Sequence, residues 1–268
     1  MSEMNTAAIA GFGDAEAYEQ AMGQWSRFLA PLLIRFGGLS DGDCVLDVGC
    51  GTGSLSFTLP EIANIASVTG VDLTESFVEF ARGRNTDPRI SFRQADARAL
   101  PFEDNSFDRA FSMLVLQFIP DSARAVAEMR RVVRPGSTVT AAVWDNFGLP
   151  HIRLTRDIAA ALDPSVDQKR PLQPLTAAHE MAELWRELVF QDVEQTSLLI
   201  RMEYSCFDDY WTPFTTGEGP AGQLVARLSN NIRSALTEHL RNAYLSGRPD
   251  GPRSIPCVAW ACRGTVPA

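Results

Sequence analysis

The chain has 268 residues, of which 45% are hydrophobic and 21% are charged, and its formal net charge is −9. This length and apolar share suit one α/β domain with a substantial core, or such a domain with a small addition. The negative charge disfavours nucleic acid as a partner, because phosphates repel an acidic surface.

The sequence also lacks the signals of several other classes of protein. Its first residues form neither a basic segment nor a long apolar one, so they predict no secretion signal. No apolar run approaches the roughly 20 residues that a membrane helix needs. The five cysteines and three histidines show no spacing typical of a disulfide framework or a metal site. We therefore expect a cytoplasmic protein without a membrane span or a bound metal.

The first predicted elements are helices over residues 14–39, with Pro31 dividing the segment in two. Strand and helix patterns then alternate to about residue 145, which indicates a parallel sheet with helices on both faces. Beyond this point, two helical patterns surround a proline-rich connector. Two β-rich stretches, 193–204 and 255–266, then flank a long amphipathic region.

A glycine-rich turn follows the first predicted strand in VLDVGCGTGSL, residues 45–55, where glycine occupies alternate positions. Each glycine costs about 0.5–1 kcal/mol of backbone entropy relative to alanine, so the pattern indicates a ligand that approaches the backbone. In doubly wound sheets such a turn binds nucleotides, and Asp72 ends the second predicted strand, where it could bind ribose hydroxyls. A dinucleotide and another nucleoside both remain open, because Ser54 in place of the third glycine of G-x-G-x-x-G is a mild mismatch.

Four motifs occur together in the order and spacing of a known family. They are VLDVGCGTG, VTGVDLTESFVEFAR, RQADARALPFEDNSFDRAFSMLVLQFIPD and MRRVVRPGSTV. With these motifs the chain resembles the class I S-adenosylmethionine-dependent methyltransferases. It resembles more closely their small-molecule branch (methyltransferase type 11), which includes the quinone-biosynthesis methyltransferases. The resemblance covers residues 18 to about 144 well and the remainder more loosely.

The resemblance implies a fold and its division into parts. The fold would be α/β and Rossmann-like, with a seven-stranded, mostly parallel sheet whose last strand is antiparallel and with helices on both faces. Residues 1–268 would form a single methyltransferase domain. Lid helices would lie in 1–40, and the segments 146–178 and 205–247 would form a helical cap over the acceptor site.

The resemblance also implies S-adenosylmethionine as the cofactor, with S-adenosylhomocysteine as its product. Asp47 would face the ammonium group, Asp72 would bind both ribose hydroxyls, and Asp96 would hold the adenine amino group. The other implied contacts are Tyr18, Met22 and Arg27 on the lid, Gly49, Cys50 and Gly51 in the turn, Leu73 and Ala97 beside the adenine, and Ser112 and Met113 at the end of the fourth strand. An acidic pocket suits a ligand that carries a sulfonium and an ammonium group.

Several of these residues also have purely structural interpretations. Asp47 could cap the turn by accepting backbone N–H groups, and Asp72 could stabilise the next helix through its charge. Asp96 could be a solvated carboxylate in a polar loop. Cys50 is expected to be a small packing residue and not a nucleophile, and Tyr18 could belong to the core.

The expected reaction is an in-line displacement, which needs the acceptor atom at about 3–3.5 Å from the methyl carbon. Positioning can therefore suffice, although a hydroxyl acceptor benefits from a general base, for which His151, Asp145 and, ranked last, Asp121 are weak candidates. The fourth strand ends in SMLVLQFIP without an N-P-P-Y-like motif, which disfavours amino groups of adenine or of protein glutamine. Aromatic residues in the lid and the second half favour a lipophilic or aromatic small-molecule acceptor, methylated on oxygen, nitrogen or carbon.

Two other functions share part of this pattern. A nicotinamide-dependent Rossmann oxidoreductase would have the same glycine turn and the same acid at Asp72. A protein that binds S-adenosylmethionine without catalysis would keep the whole site. The sequence predicts no nucleic-acid partner, and it leaves a monomer and a homodimer open.

Overall fold

The computed structural model describes residues 14–169, 173–217 and 219–268. The first part of the predicted lid and two short stretches of the predicted cap lie outside these ranges. Within them, no helix is both long and apolar enough to cross a lipid bilayer.

The strands are β1 (Cys44–Val48), β2 (Ser67–Asp72), β3 (Ile90–Gln94), β4 (Phe107–Met113), β5 (Val133–Trp144), β6 (Gln191–Tyr204) and β7 (Arg253–Thr265). They form one seven-stranded sheet in the order β3-β2-β1-β4-β5-β7-β6. The first five strands pair in parallel, whereas β7 lies antiparallel between β5 and β6. The prediction of a mostly parallel sheet with an antiparallel last strand is confirmed.

Helices precede, separate and follow the strands. The α-helices are α1 (Ala15–Tyr18), α2 (Gln24–Gly37), α3 (Ser54–Ile62), α4 (Glu75–Arg84), α5 (Ser122–Val132), α6 (Pro150–Leu162), α7 (Glu180–Glu187), α8 (Phe207–Thr215), α9 (Gly219–Arg227) and α10 (Asn230–Leu245). A π-helical turn, Glu19–Gly23, joins α1 to α2. Turns of 3-10 helix, Leu116–Phe118 and Pro164–Lys169, follow β4 and α6.

Helices cover both faces of the sheet, because successive residues of a strand point to opposite sides. On β1, Val45 packs in a buried cluster with Leu33 of α2 and with residues of α3 and α4. The next residue, Leu46, packs on the other face with Met129 of α5 and Trp185 of α7. The predicted placement of helices on both faces is confirmed.

A third apolar cluster, which we call the cap cluster, lies where α2, α6, α8 and α10 meet the ends of β5, β6 and β7. Its buried members include Trp25, Trp144, Tyr204, Phe207, Tyr210, Trp211, Phe214, Leu236, Leu240, Tyr244 and Cys257. Most of these side chains are aromatic, so this end of the molecule buries large, flat and polarisable surfaces.

Helix α2 runs without a break through Pro31, contrary to the expectation that this proline divides the segment. A proline inside a helix removes one backbone hydrogen bond. Leu29 and Leu33, on either side of it, are fully buried, so packing against the sheet holds the two halves in line. The change in helical geometry lies further upstream, in the turn Glu19–Gly23.

We expect Gly37→Ala to destabilise the protein, because an added Cβ would lie 2.3 Å from Cε1 of Phe111. The Phe111 ring is fully buried, and overpacking of this kind costs about 1–3 kcal/mol. Gly83→Ala in α4 is the matched control, since its added Cβ would have no atom within 4 Å. This variant should gain up to about 1 kcal/mol in free energy of unfolding. The measurement is the free energy of unfolding in urea. A Gly37→Ala variant as stable as the wild type would contradict the close packing of α2 on β4.

Candidate functional site

The turn between β1 and α3 holds backbone conformations that favour glycine. The φ angles of Gly49, Gly51 and Gly53 are 74°, 52° and 92°. A Cβ on Gly49 would lie 2.4 Å from a methyl group of Val115, whereas a Cβ on Gly51 would have nothing within 4 Å. The backbone at Gly51 therefore borders open space, as expected of a turn that a ligand approaches.

The turn is fastened to the end of the neighbouring strand β2. The N–H of Gly49 donates to the carbonyl of Val71 at 2.7 Å. Asp72 Oδ2 accepts the N–H of Gly51 at 2.9 Å, and its Oδ1 accepts the N–H of Thr74 at 2.9 Å. Burial raises the pKa of Asp72, and the bonds from Thr74 and Gly51 act in the opposite direction. These bonds fix the orientation of the carboxylate beside the turn.

Asp47, on β1, is almost completely enclosed, with 1% of its surface exposed. Its Oδ2 accepts a hydrogen bond from Ser56 Oγ at 2.6 Å. Its Oδ1 is buried and has no hydrogen-bond partner among the described residues. Burial raises the pKa of Asp47 to about 7, and the charge of nearby Asp72 adds to the shift. A buried carboxyl with a free oxygen is suited to pair with a cationic group of a ligand.

Tyr18, at the end of α1, lies within electrostatic range of Asp47 and Asp72, on the strands beside the turn. Its ring centroid is 5.5 Å from that of Phe77 in α4. Burial raises the pKa of Tyr18 to about 12, and the charges of Glu19, Asp72 and Asp47 add to the shift. The structure therefore brings this predicted lid residue together with the predicted acids, although 29 or more positions separate them in the chain.

Arg27, another predicted lid residue, pairs with Glu19 at 2.5 Å between Nη1 and Oε2. The same carboxylate accepts a hydrogen bond from Thr52 Oγ1 at 2.5 Å and lies 3.2 Å from Nη1 of Arg84. Sequence reasoning missed Glu19, because no local pattern links it to Thr52, 33 positions away. Thr52 could have been found from the sequence, because it lies inside the glycine motif.

A cleft extends from the turn along the ends of β1, β2 and β3. It is lined by Gly49, Val71, Asp72, Leu73, Ala95, Asp96, Ala97, Val115 and Ile119. The residues expected around the ribose and the adenine all lie in this cleft. Sequence reasoning missed Val115 and Ile119, to which the apolar run after the fourth strand points.

The carboxylate of Asp96 is engaged by its neighbour Arg98. The backbone N–H, Nε and Nη2 of Arg98 donate to the two oxygens of Asp96 at 2.7 to 3.1 Å. These bonds lower the pKa of Asp96. An adenine amino group at this position would therefore share the carboxylate with Arg98.

The remaining predicted contacts lie on either side of the cleft. Cys50 is buried, and burial raises the pKa of its thiol well above the usual range, which is consistent with a packing residue. Ser112 is fully buried on β4, and its Oγ has no hydrogen-bond partner in the described part of the chain. Met22 and Met113 are half-buried against the cap cluster. The two methionines thus connect the lid and the end of β4 with that cluster.

His151, near the start of α6, is 5% exposed and lies among aromatic rings of the cap cluster. Its ring centroid is 6.3 Å from that of Tyr204, 6.4 Å from that of Tyr210 and 6.1 Å from that of Phe214. Its Nδ1 lies 4.0 Å from Cys257 Sγ. Burial lowers the pKa of His151 to about 4, so the imidazole is neutral at neutral pH and retains a nitrogen lone pair.

The strand order, the glycine turn after β1 and the acid at the end of β2 define the nucleoside-binding fold of a class I methyltransferase. Residues 46–141 match the family described as a methyltransferase domain. Over residues 46–141 the chain therefore carries a methyltransferase domain, and S-adenosylmethionine is the cofactor of the class I methyltransferases that the sequence resembles. The predicted family and cofactor are confirmed. The match lends no support to the nicotinamide-dependent alternative.

Proteins from other organisms are similar over parts of the chain. Uncharacterized protein Rv1405c of Mycobacterium tuberculosis is 35% identical over 145 residues, which cover 51% of this chain and 52% of that protein. O-methyltransferase cnsE of Penicillium expansum is 33% identical over 172 residues, which cover 62% of this chain and 59% of that protein. The YcgJ protein of Bacillus subtilis shares the fold with a TM-score of 0.59 at 18% identity, covering 91% of this chain and 99% of that one. The chain thus spans about half the length of Rv1405c.

We expect Asp47→Asn to flatten the pH dependence of the free energy of unfolding between about pH 4 and 7. Folding raises the pKa of Asp47 from 3.8 to about 7, so the stabilisation that this carboxyl contributes is fully present below pH 4 and is lost as the pH rises through 7. Each pKa unit corresponds to about 1.4 kcal/mol, which urea unfolding at pH 5, 6, 7 and 8 resolves. Asp87→Asn is the control, because Arg89 lowers the pKa of Asp87 and places its effect at more acidic pH. If the free energy of unfolding of Asp47→Asn had the same pH dependence as that of the wild type, Asp47 would be ionised throughout this range.

Proposed function

We propose that this protein transfers a methyl group from S-adenosylmethionine to a small-molecule acceptor. One observation carries the proposal: the buried Asp47, with an unpartnered oxygen among the described residues, lies beside Asp72 and the open backbone of Gly51. Acidic groups next to a nucleotide-type turn suit a nucleoside that carries positive charge.

The donor would lie along the cleft, with its sugar between the turn and the end of β2. Asp72 would accept the ribose hydroxyls, and Asp47 would face the ammonium group. Asp96 would hold the adenine edge together with Arg98. The remaining donor contacts would be Tyr18, Met22, Arg27, Gly49, Cys50, Gly51, Leu73, Ala97, Ser112 and Met113. The bound cofactor supplies a methyl group on a sulfonium, which leaves as a thioether when the acceptor atom attacks from the opposite side.

We further propose that the cap cluster lines the acceptor site and selects a lipophilic or aromatic molecule. The rings around His151 support this, because apolar and aromatic linings are typical of small-molecule pockets. Met113 at the end of β4 and Trp144 at the end of β5 pack in this cluster, so it adjoins the edge of the sheet that carries the donor cleft. A water-poor surrounding also favours a reaction in which charges are neutralised.

His151 is the proposed proton acceptor for a hydroxyl acceptor molecule. Its imidazole is neutral at neutral pH because burial lowers its pKa to about 4, so a nitrogen lone pair is present to take the proton that the acceptor oxygen loses, although the same burial makes it a weaker base than an exposed histidine. The similarity to cnsE, an O-methyltransferase by name, supports methylation on oxygen. Positioning within the apolar cluster would supply the rest of the rate enhancement.

We expect Asp72→Asn to weaken the binding of S-adenosylhomocysteine by about 10- to 100-fold, the effect of leaving buried polar groups unpaired. Isothermal titration calorimetry measures it, with Glu79→Gln, an exposed acid on α4, as the control that keeps wild-type affinity. Unchanged affinity in Asp72→Asn would remove Asp72 from the site. Binding of NADH by the wild type, with none of S-adenosylhomocysteine, would contradict the proposed function.

We expect His151→Gln to lower kcat by about 100-fold or more, the usual loss when a general base is removed. The assay follows tritium from S-adenosylmethionine into phenols, catechols and quinols, and S-adenosylhomocysteine should bind with unchanged affinity. Leu154→Ala, on the exposed side of α6, is the control that keeps wild-type kcat. An unchanged kcat in His151→Gln would make this histidine a packing residue. No transfer to any acceptor by a wild type that binds S-adenosylhomocysteine would favour a non-catalytic binding protein.

A further inference from the structure

The carboxylate of Glu19 lies beside Thr52 of the glycine turn and is held from three sides. Thr52 Oγ1 donates to its Oε1 at 2.5 Å. Arg27 and Arg84 approach its Oε2 at 2.5 and 3.2 Å. Only 15% of the Glu19 side chain is exposed, so these contacts form a defined polar cluster and not a loose surface pair.

The cluster joins three separate elements of the chain. Glu19 begins the π-helical turn of the lid, Thr52 belongs to the glycine turn, and Arg84 is the last residue of α4. Turns of π-helix inside α-helices occur frequently at functional sites. The Glu19 carboxylate therefore fastens the lid to the elements that border the cleft.

The Glu19 carboxylate packs against its own turn and already receives the hydroxyl proton of Thr52. A Cβ on Gly23 would lie 2.3 Å from Glu19 Oε1, so the side chain is folded closely against its own turn. The hydroxyl of Thr52 has a single proton, and Glu19 already receives it. Any other anion that uses Thr52 as a donor must displace Glu19.

The position of Thr52 indicates which anion this would be. Thr52 directly follows Gly51, whose N–H is bonded to Asp72. Tyr18 immediately precedes Glu19, and the charges of both Asp47 and Asp72 contribute to raising its pKa. The cluster thus adjoins the end of the cleft where the amino-acid part of the cofactor would lie. That part carries a carboxylate as well as an ammonium group.

Building on the function proposed above, we propose that Glu19 is an internal substitute for the cofactor's carboxylate. Glu19 holds the lid down through Thr52, Arg27 and Arg84, and the cofactor's carboxylate takes over these donors when it binds. Two carboxylates cannot share one hydroxyl proton, and their like charges repel. Glu19 therefore lowers the affinity for the cofactor and couples its binding to a movement of the turn Glu19–Gly23.

The test compares two ligands on Glu19→Gln by isothermal titration calorimetry. S-adenosylhomocysteine should bind about 3- to 10-fold more tightly to the variant, the effect expected from losing competing ion pairs that are partly exposed. 5′-Methylthioadenosine has the same nucleoside and a thioether but no amino-acid part, so its affinity should not change. Glu16→Gln, an exposed acid three positions earlier, is the matched control and should match the wild type for both ligands.

A second variant tests the donors of the same cluster. Arg84→Gln should weaken the binding of S-adenosylhomocysteine about 3- to 10-fold and leave the affinity for 5′-methylthioadenosine unchanged. Arg35→Gln, an exposed arginine on α2, is its control and should bind both ligands like the wild type. Thermal unfolding of each variant checks that the fold is retained, and Arg84→Gln decides the question if Glu19→Gln does not fold.

Three results would overturn the proposal for Glu19. Weaker binding of S-adenosylhomocysteine to Glu19→Gln would mean that Glu19 contacts the cofactor's ammonium group. An equal change for both ligands would mean that Glu19 acts on the nucleoside site through the fold. Unchanged affinity for both would mean that the cluster lies away from the ligand. A wild type that binds neither ligand would instead contradict the proposed function, so the two failures are distinguishable.

Discussion

The hydrogen bond between Asp72 and the glycine turn is the interaction on which the proposed cofactor site depends. Asp72 ends β2, yet its carboxylate accepts the N–H of Gly51, which follows β1. Its second oxygen accepts the N–H of Thr74, immediately before α4. One buried carboxylate thereby sets the position of the turn, of the next helix and of the cleft between them. Burial raises the pKa of Asp72, and the N–H donors that surround its carboxylate oppose this shift.

A second buried carboxyl lies beside the first, and like charges at close range disfavour each other's ionised form. Burial raises the pKa of Asp47 to about 7, the charge of Asp72 adds to this shift, and Oδ1 of Asp47 has no partner among the described residues. The charges of Asp47 and Asp72 also reach Tyr18 on the lid. A buried carboxyl oxygen without a hydrogen-bond partner contributes little to stability. Proteins typically keep such unsatisfied groups where function requires them.

The two halves of the molecule are built from different kinds of structure. The first four strands run parallel, so their carboxyl ends meet at one edge, where the carboxylates of Asp72 and Asp96 lie among apolar side chains that line the cleft. Strand β7 runs in the opposite direction between β5 and β6, and this corner of the sheet carries the aromatic cap cluster. The family match, residues 46–141, ends before the predicted cap segments 146–178 and 205–247 begin. Under the proposed function, substitutions in the cap cluster would therefore change which acceptor binds and leave the donor site unchanged.

The sequence by itself determined the family, the parallel sheet and the main acids of the cleft, because these depend on local signals: strand and helix periods, a glycine turn and an acid at a strand end. The tertiary structure alone decided how the side chains are engaged. It brought Glu19 to Thr52, continued α2 through Pro31, and placed His151 among aromatic rings from β6 and α8. Each of these outcomes arises from packing or from contacts between residues far apart in the chain, and such contacts leave no periodic pattern in the sequence.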